Sequence, residues 1–215
     1  RSTTWTTQAI TGTWTRYTFA ATTEAQRVGI RIVTSGDAIE LWGAQLEAGS
    51  GASSYIPTGA SQVTRNADNC EILDLATMGF NSSAGTIAIK YGARLSTGSM
   101  RAYTFLPASG ANNQMFEAAG VALNVYTSGA FVAQIGSTSS AAANVAAAYA
   151  TNDFAVSVNG GAVATDTSGA VPPSLTKLTI GGSIVNAAAY NNGPIERFIY
   201  WPFRQPNATL QSLTQ

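Results

Sequence analysis

Asp153-Phe154-Ala155-Val156-Ser157-Val158-Asn159-Gly160-Gly161 is the stretch that decides how this chain folds. A strand-length apolar segment runs into Asn159-Gly160, two residues that tolerate positive φ, and a second segment, Ala162 to Asp166, follows at once. Such an order predicts a β-hairpin. Ser128-Gly129 repeats it between Leu123 to Tyr126 and Phe131 to Ile135. Outward from these hairpins lie further strand-length segments at Gly85 to Leu95, Met115 to Ala119, Leu175 to Ile180 and Ile195 to Trp201, enough for a complete sandwich. The run Ser137 to Ala150 is rich in alanine, yet Ser139-Ser140 and the lack of charged positions argue against a helix. A loop leading into a strand near Val145 to Tyr149 is expected instead. Pro206-Asn207, followed by Leu210 and Leu213, predicts one short terminal helix capped by the asparagine. No repeat of 20–50 residues supports a solenoid or propeller.

The N-terminal part reads as four strands: Thr3 to Ile10, Trp14 to Ala20, Val28 to Val33 and Ala38 to Leu46. Trp14, Arg16 and Thr18 alternate with Thr15, Tyr17 and Phe19, which makes one face more apolar than the other. Trp14, Tyr17 and Trp42 are therefore expected in a core. Four strands make half a sandwich. The composition then shifts to Gly49-Ser50-Gly51-Ala52-Ser53-Ser54 and Tyr55-Ile56-Pro57-Thr58, a connector ending near Asp68. Two units follow, residues 1–68 and 69–215, both all-β and the first incomplete. Because the numbering opens at Arg1 inside a strand, a fragment with missing upstream sequence is expected.

Hydrophobic residues make up 45% of the chain and charged residues 10%, against the roughly 25% usual in soluble domains, so the surface must be built from uncharged polar and small residues. Eleven Lys and Arg balance eleven Asp and Glu, and no basic run is present to neutralise a phosphate backbone. Nucleic acid is excluded as an expected partner. Apolar runs fall far short of the ~20 residues of a membrane span, and no signal-peptide pattern is seen. With one cysteine, Cys70, and no histidine, the sequence offers no internal disulfide, no Cys/His metal set and no histidine-based triad. Cys70 is expected to carry no mechanistic weight.

Other chemistry fails on spacing. Glu71 and Asp74, three apart, would fall on opposite strand faces, unlike the paired acids of glycan hydrolysis, and so would Glu40 and Glu47. These last two are expected to hydrogen-bond the connector. Serine or threonine activation would need Lys90, Lys177 or a carboxylate as base, and no G-x-S-x-G elbow occurs; Gly181-Gly182-Ser183 reads as a loop after a strand. Gly12, Gly29 and Gly36 form no phosphate loop, so no cofactor is expected. Asp37, Asp153 and Asp166 read as turn formers, and no metal is expected. What remains is sugar recognition, in which aromatic rings pack on C–H faces while amides bond hydroxyls. Tyr190, Asn191 and Asn192, with Asn112, Asn113 and Gln114, stand in loop-like segments and are the candidate carbohydrate contacts.

Two resemblances sharpen this reading. Ile39-Glu40-Leu41-Trp42-Gly43-Ala44-Gln45-Leu46-Glu47-Ala48-Gly49, then Ser54-Tyr55-Ile56-Pro57-Thr58 and Thr64-Arg65-Asn66-Ala67-Asp68, resembles a pattern of bacteriophage tail and fibre proteins that closes a carbohydrate-binding-module-like jelly roll. The second unit resembles the concanavalin A-like lectin, or laminin-G-like, sandwiches of phage tail proteins. Its carriers are residues 153–161, Leu178-Thr179-Ile180-Gly181, and Gly193-Pro194-Ile195-Glu196-Arg197-Phe198-Ile199-Tyr200-Trp201-Pro202 leading into Leu210-Gln211-Ser212-Leu213-Thr214. Pro194 stands where such proteins often have histidine. The resemblance implies a non-enzymatic tail-fibre or receptor-binding segment on the virion surface, a homotrimer that meets other virion proteins and host surface glycan or protein. Low charge suits such an assembly, since few like charges repel across a symmetry axis. A spacer or decoration part without a ligand, and a glycan-degrading tail enzyme, are the alternative classes.

Overall fold

Strands need partners, and the chain supplies them in its second part. The computed structural model describes residues 5–20, 29–48, 52–64, 68, 70–94, 100–118, 120–182 and 189–215. Thr3, Val28, Gly49 to Gly51, Arg65 to Ala67, Leu95, Ala119 and Ser183, on which some sequence expectations fall, lie outside the described residues. The chain divides into two units, Arg1–Arg65 and Asn66–Gln215.

In the second unit eleven strands are described: β1 (Cys70–Ile72), β2 (Ala84–Tyr91), β3 (Arg101–Leu106), β4 (Gln114–Ala118), β5 (Val121–Thr127), β6 (Ala130–Ile135), β7 (Ala143–Ala150), β8 (Phe154–Val158), β9 (Ala164–Asp166), β10 (Lys177–Ile180) and β11 (Ile195–Trp201). They form a six-stranded sheet, β1-β10-β3-β4-β5-β6, and a five-stranded sheet, β11-β2-β7-β8-β9. Every pairing is antiparallel. The all-β sandwich expected from the sequence is what forms. Both hairpins turn as expected, with φ of 52° and 86° at Ser128 and Gly129 and of 50° and 71° at Asn159 and Gly160. β1 and β3 go beyond the segments read as strands from the sequence.

Period-two alternation sends Tyr103, Phe105, Met115, Leu123, Val125 and Leu178 from one sheet against Ile87, Ile89, Val145, Tyr149, Phe154 and Val156 from the other. Gly85 has no side chain for a packing reason: a Cβ there would meet the Tyr149 hydroxyl oxygen at 2.5 Å. On the outer face of the five-stranded sheet, Ala88, Ala146, Ala148 and Ala155 form a small-residue floor on which Leu210 of α1 (Asn207–Leu213) is fully buried. That floor accounts for Ala146 and Ala148 of the alanine run, which are small because a helix lies on them; Ala143 and Ala147 face the inner core. The run is strand from Ala143, longer than the expected Val145 to Tyr149. Pro206, not Asn207, caps α1, with no side-chain capping bond. The helix is anchored at its far end by Thr214, whose hydroxyl pairs with Ser157 at 3.1 Å and accepts from Gly160 N at 3.0 Å.

The first unit differs from expectation. None of its described residues is in a strand, so the four expected strands are not seen there. Trp14 and Trp42, read as core, are 72% and 75% exposed, and Tyr17 is only half-buried. The physical reason is pairing: an alternating segment becomes a strand only when another backbone accepts its hydrogen bonds, and among the described residues none pairs with these segments. Local order centres on the motif residues. Trp42 and Tyr55 rings approach to 4.8 Å, and Gly43, at φ 68°, leaves room for Tyr55. Gln45 Oε1 accepts from Ile56 N at 2.8 Å, and Glu47 accepts from Ser53 N at 2.5 Å and Ser53 Oγ at 2.6 Å. Glu47 thus bonds the connector as expected.

Candidate functional site: the outer face of the six-stranded sheet

Helix α1 covers one outer face of the sandwich; among the described residues no helix covers the other. Register places Glu71, Thr179, Thr104, Phe116, Asn124 and Gln134 side by side across that second face, one from each strand. A neighbouring row holds Gln114, Tyr126 and Phe131. These rows are polar and aromatic, the opposite of the alanine floor; Thr179, Thr104, Phe116, Asn124 and Gln114 in them are buried, whereas Gln134 and Phe131 are exposed.

The geometry of this face is fixed by hydrogen bonds. The Arg101 guanidinium lies over the Phe116 ring, 3.7 Å from its centroid, and Arg101 Nη1 donates to Gln114 Oε1 at 2.7 Å. Burial lowers the pKa of Arg101, which remains charged at neutral pH. Phe131, 52% exposed, stands edge-on to Tyr126 at 5.0 Å and 6.4 Å from Phe116. Gln134 Nε2 donates to Asn124 Oδ1 at 3.0 Å. At the other side, the Thr179 and Thr104 hydroxyls donate to the Gly182 carbonyl at 2.9 and 3.3 Å. A Cβ on Gly182 would meet Tyr190 Cδ1 at 3.1 Å, so Tyr190 borders this face.

The sequence candidates divide. Tyr190 is 41% exposed at the face and Asn192 is exposed, but Asn191 is 1% exposed, its Nδ2 donating to Gly193 O at 2.9 Å. Asn191 holds its own loop together. Gln114, read as a loop residue, is the first residue of β4 and 5% exposed. Asn112 and Asn113 line a cleft of about 430 Å³ with Pro107, Gly110, Ser174 and Thr176, and Asn113 Oδ1 accepts from Ser128 N at 3.1 Å. Gly181 N bonds Ala102 O at the start of β3, whereas Asn112 and Asn113 lie in the loop after its end. The two candidate groups thus sit at opposite ends of the same strand. Arg101, Phe116, Tyr126, Phe131 and Gln134 were not read as site residues, because only cross-strand register brings them together.

Several other charged groups hold the fold together. Glu117, fully buried, accepts from Tyr91 OH at 3.0 Å and Thr138 Oγ1 at 3.1 Å on one oxygen, and from Arg94 Nη2 at 2.6 Å and Ala102 N at 3.1 Å on the other. Burial, then the Glu117 charge, raises the Tyr91 pKa, which keeps its phenol a donor. Asp74 does not pair with Glu71 but caps a 3-10 turn, Leu75–Met78, by accepting from Ala76 N at 3.0 Å. Asp166 accepts from Ser168 N and Oγ, which lowers its pKa; Asp153 pairs with Arg204 at 2.8 Å. Cys70 is an exposed free thiol, and no group of three metal-ligating side chains occurs among the described residues.

No protein-family model matches the chain, and no curated protein sequence matches it. Solved structures do. The CBM40 of the Ruminococcus gnavus IT-sialidase, bound to α2,3 sialyllactose, superposes with a TM-score of 0.53 at 19% identity, covering 69% of this chain and 97% of that one. The sandwich has the fold of such a module. The same CBM40 bound to α2,6 sialyllactose gives a TM-score of 0.53 at 17% identity, again over 69% and 97%. The NanB sialidase of Streptococcus pneumoniae matches with a TM-score of 0.53 at 12% identity, over 66% of this chain but only 26% of that one. At these identities the likeness is one of fold.

Proposed function

We propose that this chain is a non-catalytic glycan-binding segment, and that its ligand, an acidic host-surface glycan, lies on the outer face of the six-stranded sheet. The observation that carries the reading is the contrast of outer faces. One is a small-residue floor closed by α1, whereas the other sets Arg101 on Phe116 beside Phe131, Tyr126 and a row of amides. Rings offer faces to sugar C–H groups, amides and hydroxyls match sugar hydroxyls, and a guanidinium matches a carboxylate. The fold likeness to CBM40 structures that hold sialyllactose supports the choice of an acidic sugar. Against catalysis stands the use of the acids: Glu117 is saturated by four donors, Asp74 caps a turn, and Lys90 pairs with Glu196 at 2.5 Å.

The same proposal assigns the chain to a phage virion appendage, a tail fibre or receptor-binding protein at the particle surface. Its support is the residue 39–68 motif, whose Gln45, Glu47, Ser53 and Ile56 close on one another. Exposed Trp14, Val33, Trp42 and Leu46 in the first unit favour burial against further copies, as a homotrimer, or against other virion proteins. A glycan array probed with the whole chain tests the ligand: sialylated glycans retained over neutral ones are expected. Retention of no glycan would favour a spacer role, and release of reducing sugar would favour an enzyme. Light scattering at micromolar concentration tests the assembly, with a trimer expected and a monomer contradicting it.

A further inference from the structure

We infer that Asn192 is a site of spontaneous deamidation, at which this protein ages chemically, and that the end of α1 shields the chain's other Asn-Gly pair from the same reaction. Two asparagines are followed by glycine, Asn159 by Gly160 and Asn192 by Gly193. Such a pair is reactive because glycine, lacking a Cβ, leaves its nitrogen open to the preceding side chain. The glycine nitrogen attacks the asparagine Cγ and gives up its proton, the Cγ–Nδ2 bond breaks, and ammonia leaves. Water then opens the five-membered imide at either carbonyl, leaving aspartate or isoaspartate. Water is the only co-reactant. The attack requires the Asn-Gly peptide to turn, so whatever holds that peptide sets the rate.

Exposure does not separate the two sites, since both asparagines are exposed, with φ of 50° at Asn159 and 48° at Asn192. Hydrogen bonds do. At the hairpin, Gly160 N donates to Thr214 Oγ1 at 3.0 Å and Gly160 O accepts from Gln211 Nε2 at 3.0 Å, both at the far end of α1. Asn159 is held as firmly: its Oδ1 accepts from Asn144 N at 2.8 Å and its N donates to Asn144 O at 2.9 Å. Attack there must break the bond to Thr214, which is 1% exposed, and draw Oδ1 away from Asn144. At the second site, neither the Asn192 side chain nor Gly193 N has a hydrogen-bond partner among the described residues. The bonds fall on either side of that peptide instead, from Asn191 N to Gly181 O at 2.8 Å and from Gly92 N to Pro194 O at 2.9 Å. Packing also forbids the safer residue. A Cβ at Gly193 would meet Ala93 O at 2.6 Å, and the positive φ of Asn192 suits asparagine better than most residues. The fold thus imposes a reactive pair where no described residue guards it. Conversion gives a negative charge to a chain of zero net charge, and isoaspartate lengthens the backbone by a carbon close to Tyr190.

Ageing the whole chain at mildly alkaline pH, with peptide mass spectrometry at intervals, tests this. Asn192 should convert about tenfold or more faster than Asn159, the scale of the hydrogen bonds that must open at Asn159, and should yield both aspartate and isoaspartate. An unchanged Asn192, or an Asn159 that converts as fast, would overturn the proposal. In urea, where the fold no longer holds either peptide, the two residues should convert at rates within a few fold of each other. A difference as large as in the folded chain would place its cause in the flanking sequence and overturn the shielding by α1. Thr214→Val removes the acceptor for Gly160 N at similar size and should speed Asn159 about fivefold or more while leaving Asn192 unchanged. Thr214→Ser keeps the hydroxyl and should retain the wild-type rate. No acceleration of Asn159 in folded Thr214→Val would overturn the shielding. Should Thr214→Val not fold, the urea comparison on the wild-type chain decides the same question.

Discussion

The segment Trp14 to Phe19 and the segment Leu123 to Tyr126 are both built from aromatic and β-branched or apolar residues at strand spacing, yet only the second is a strand. Leu123 to Tyr126 lies within β5 with β4 on one side and β6 on the other, and Leu123 and Val125 are fully buried. Trp14 and Phe19 have no such neighbours among the described residues and are well exposed. Alternation specifies which way side chains point if a strand forms; a strand forms where backbone partners and an opposing apolar layer are present together. The second unit contains both layers of its own core. The first unit holds its motif residues together through Gln45 and Glu47 and leaves its large apolar side chains outside.

Substitution should make that contrast measurable. In the sandwich, Glu117→Ala strands the Arg94 guanidinium, whose side chain is fully buried, without its counter-charge. A loss of about 3–5 kcal/mol in urea unfolding is expected, the scale of a broken buried pair. Trp14→Ala, in the first unit, should change stability by less than about 0.5 kcal/mol, as exposed positions do. A Trp14→Ala loss as large as that of Glu117→Ala would mean that the first unit has a core of its own. Glycines sharpen the same comparison at smaller scale. Gly85→Ala drives a Cβ into the Tyr149 ring and should cost about 1–3 kcal/mol of global stability by overpacking. Gly43→Ala, strained by its φ of 68° and 3.3 Å from Tyr55, should cost about 1–2 kcal/mol. The Gly43 loss should appear as faster hydrogen exchange at Ile56 N alone, not as a shift of the sandwich's unfolding midpoint.

The smallest effect expected is on pH. Bonds from the Ser53 hydroxyl and the Ser53 N–H hold the Glu47 carboxyl below its ordinary value of 4.5. A depressed folded pKa means that the bonded carboxylate stabilises fully above the unfolded value and loses that contribution as pH falls through the folded one. Ser53 amide protection should therefore be unchanged from neutrality to about pH 5 and weaken only below the ordinary glutamate range. Gln45, which carries no charge, should show no such dependence in its bond to Ile56.

Local chemistry was legible, and cross-strand chemistry was not. Ser128-Gly129 and Asn159-Gly160 announced their turns because positive φ is written in the residue type. Alanines 146–148 were ambiguous until α1 was seen on two of them, since small size records a neighbour distant in sequence. β3 escaped because Arg101 and Thr104 interrupt its apolar pattern, and they do so because they point to the outer face rather than into the core. The site was hidden in the same way. Arg101 and Phe116 are fifteen positions apart and meet only when β3 pairs with β4, whereas Tyr190 was found because an aromatic among asparagines is visible in a linear reading. Asn191 and Gln114 carry the right functional groups, but a side-chain amide serves a loop's own carbonyls as readily as a ligand's hydroxyl.

Backbone NMR of the whole chain titrated with α2,3 sialyllactose tests the central claim most directly. The account predicts saturable amide shifts at Thr104, Phe116, Asn124, Tyr126 and Phe131, one continuous patch on the outer face of the six-stranded sheet, with Ala146, Ala148 and Ala155 beneath α1 unmoved. Saturable shifts confined to Trp42, Tyr55 and their neighbours, or no shift at all, would contradict it.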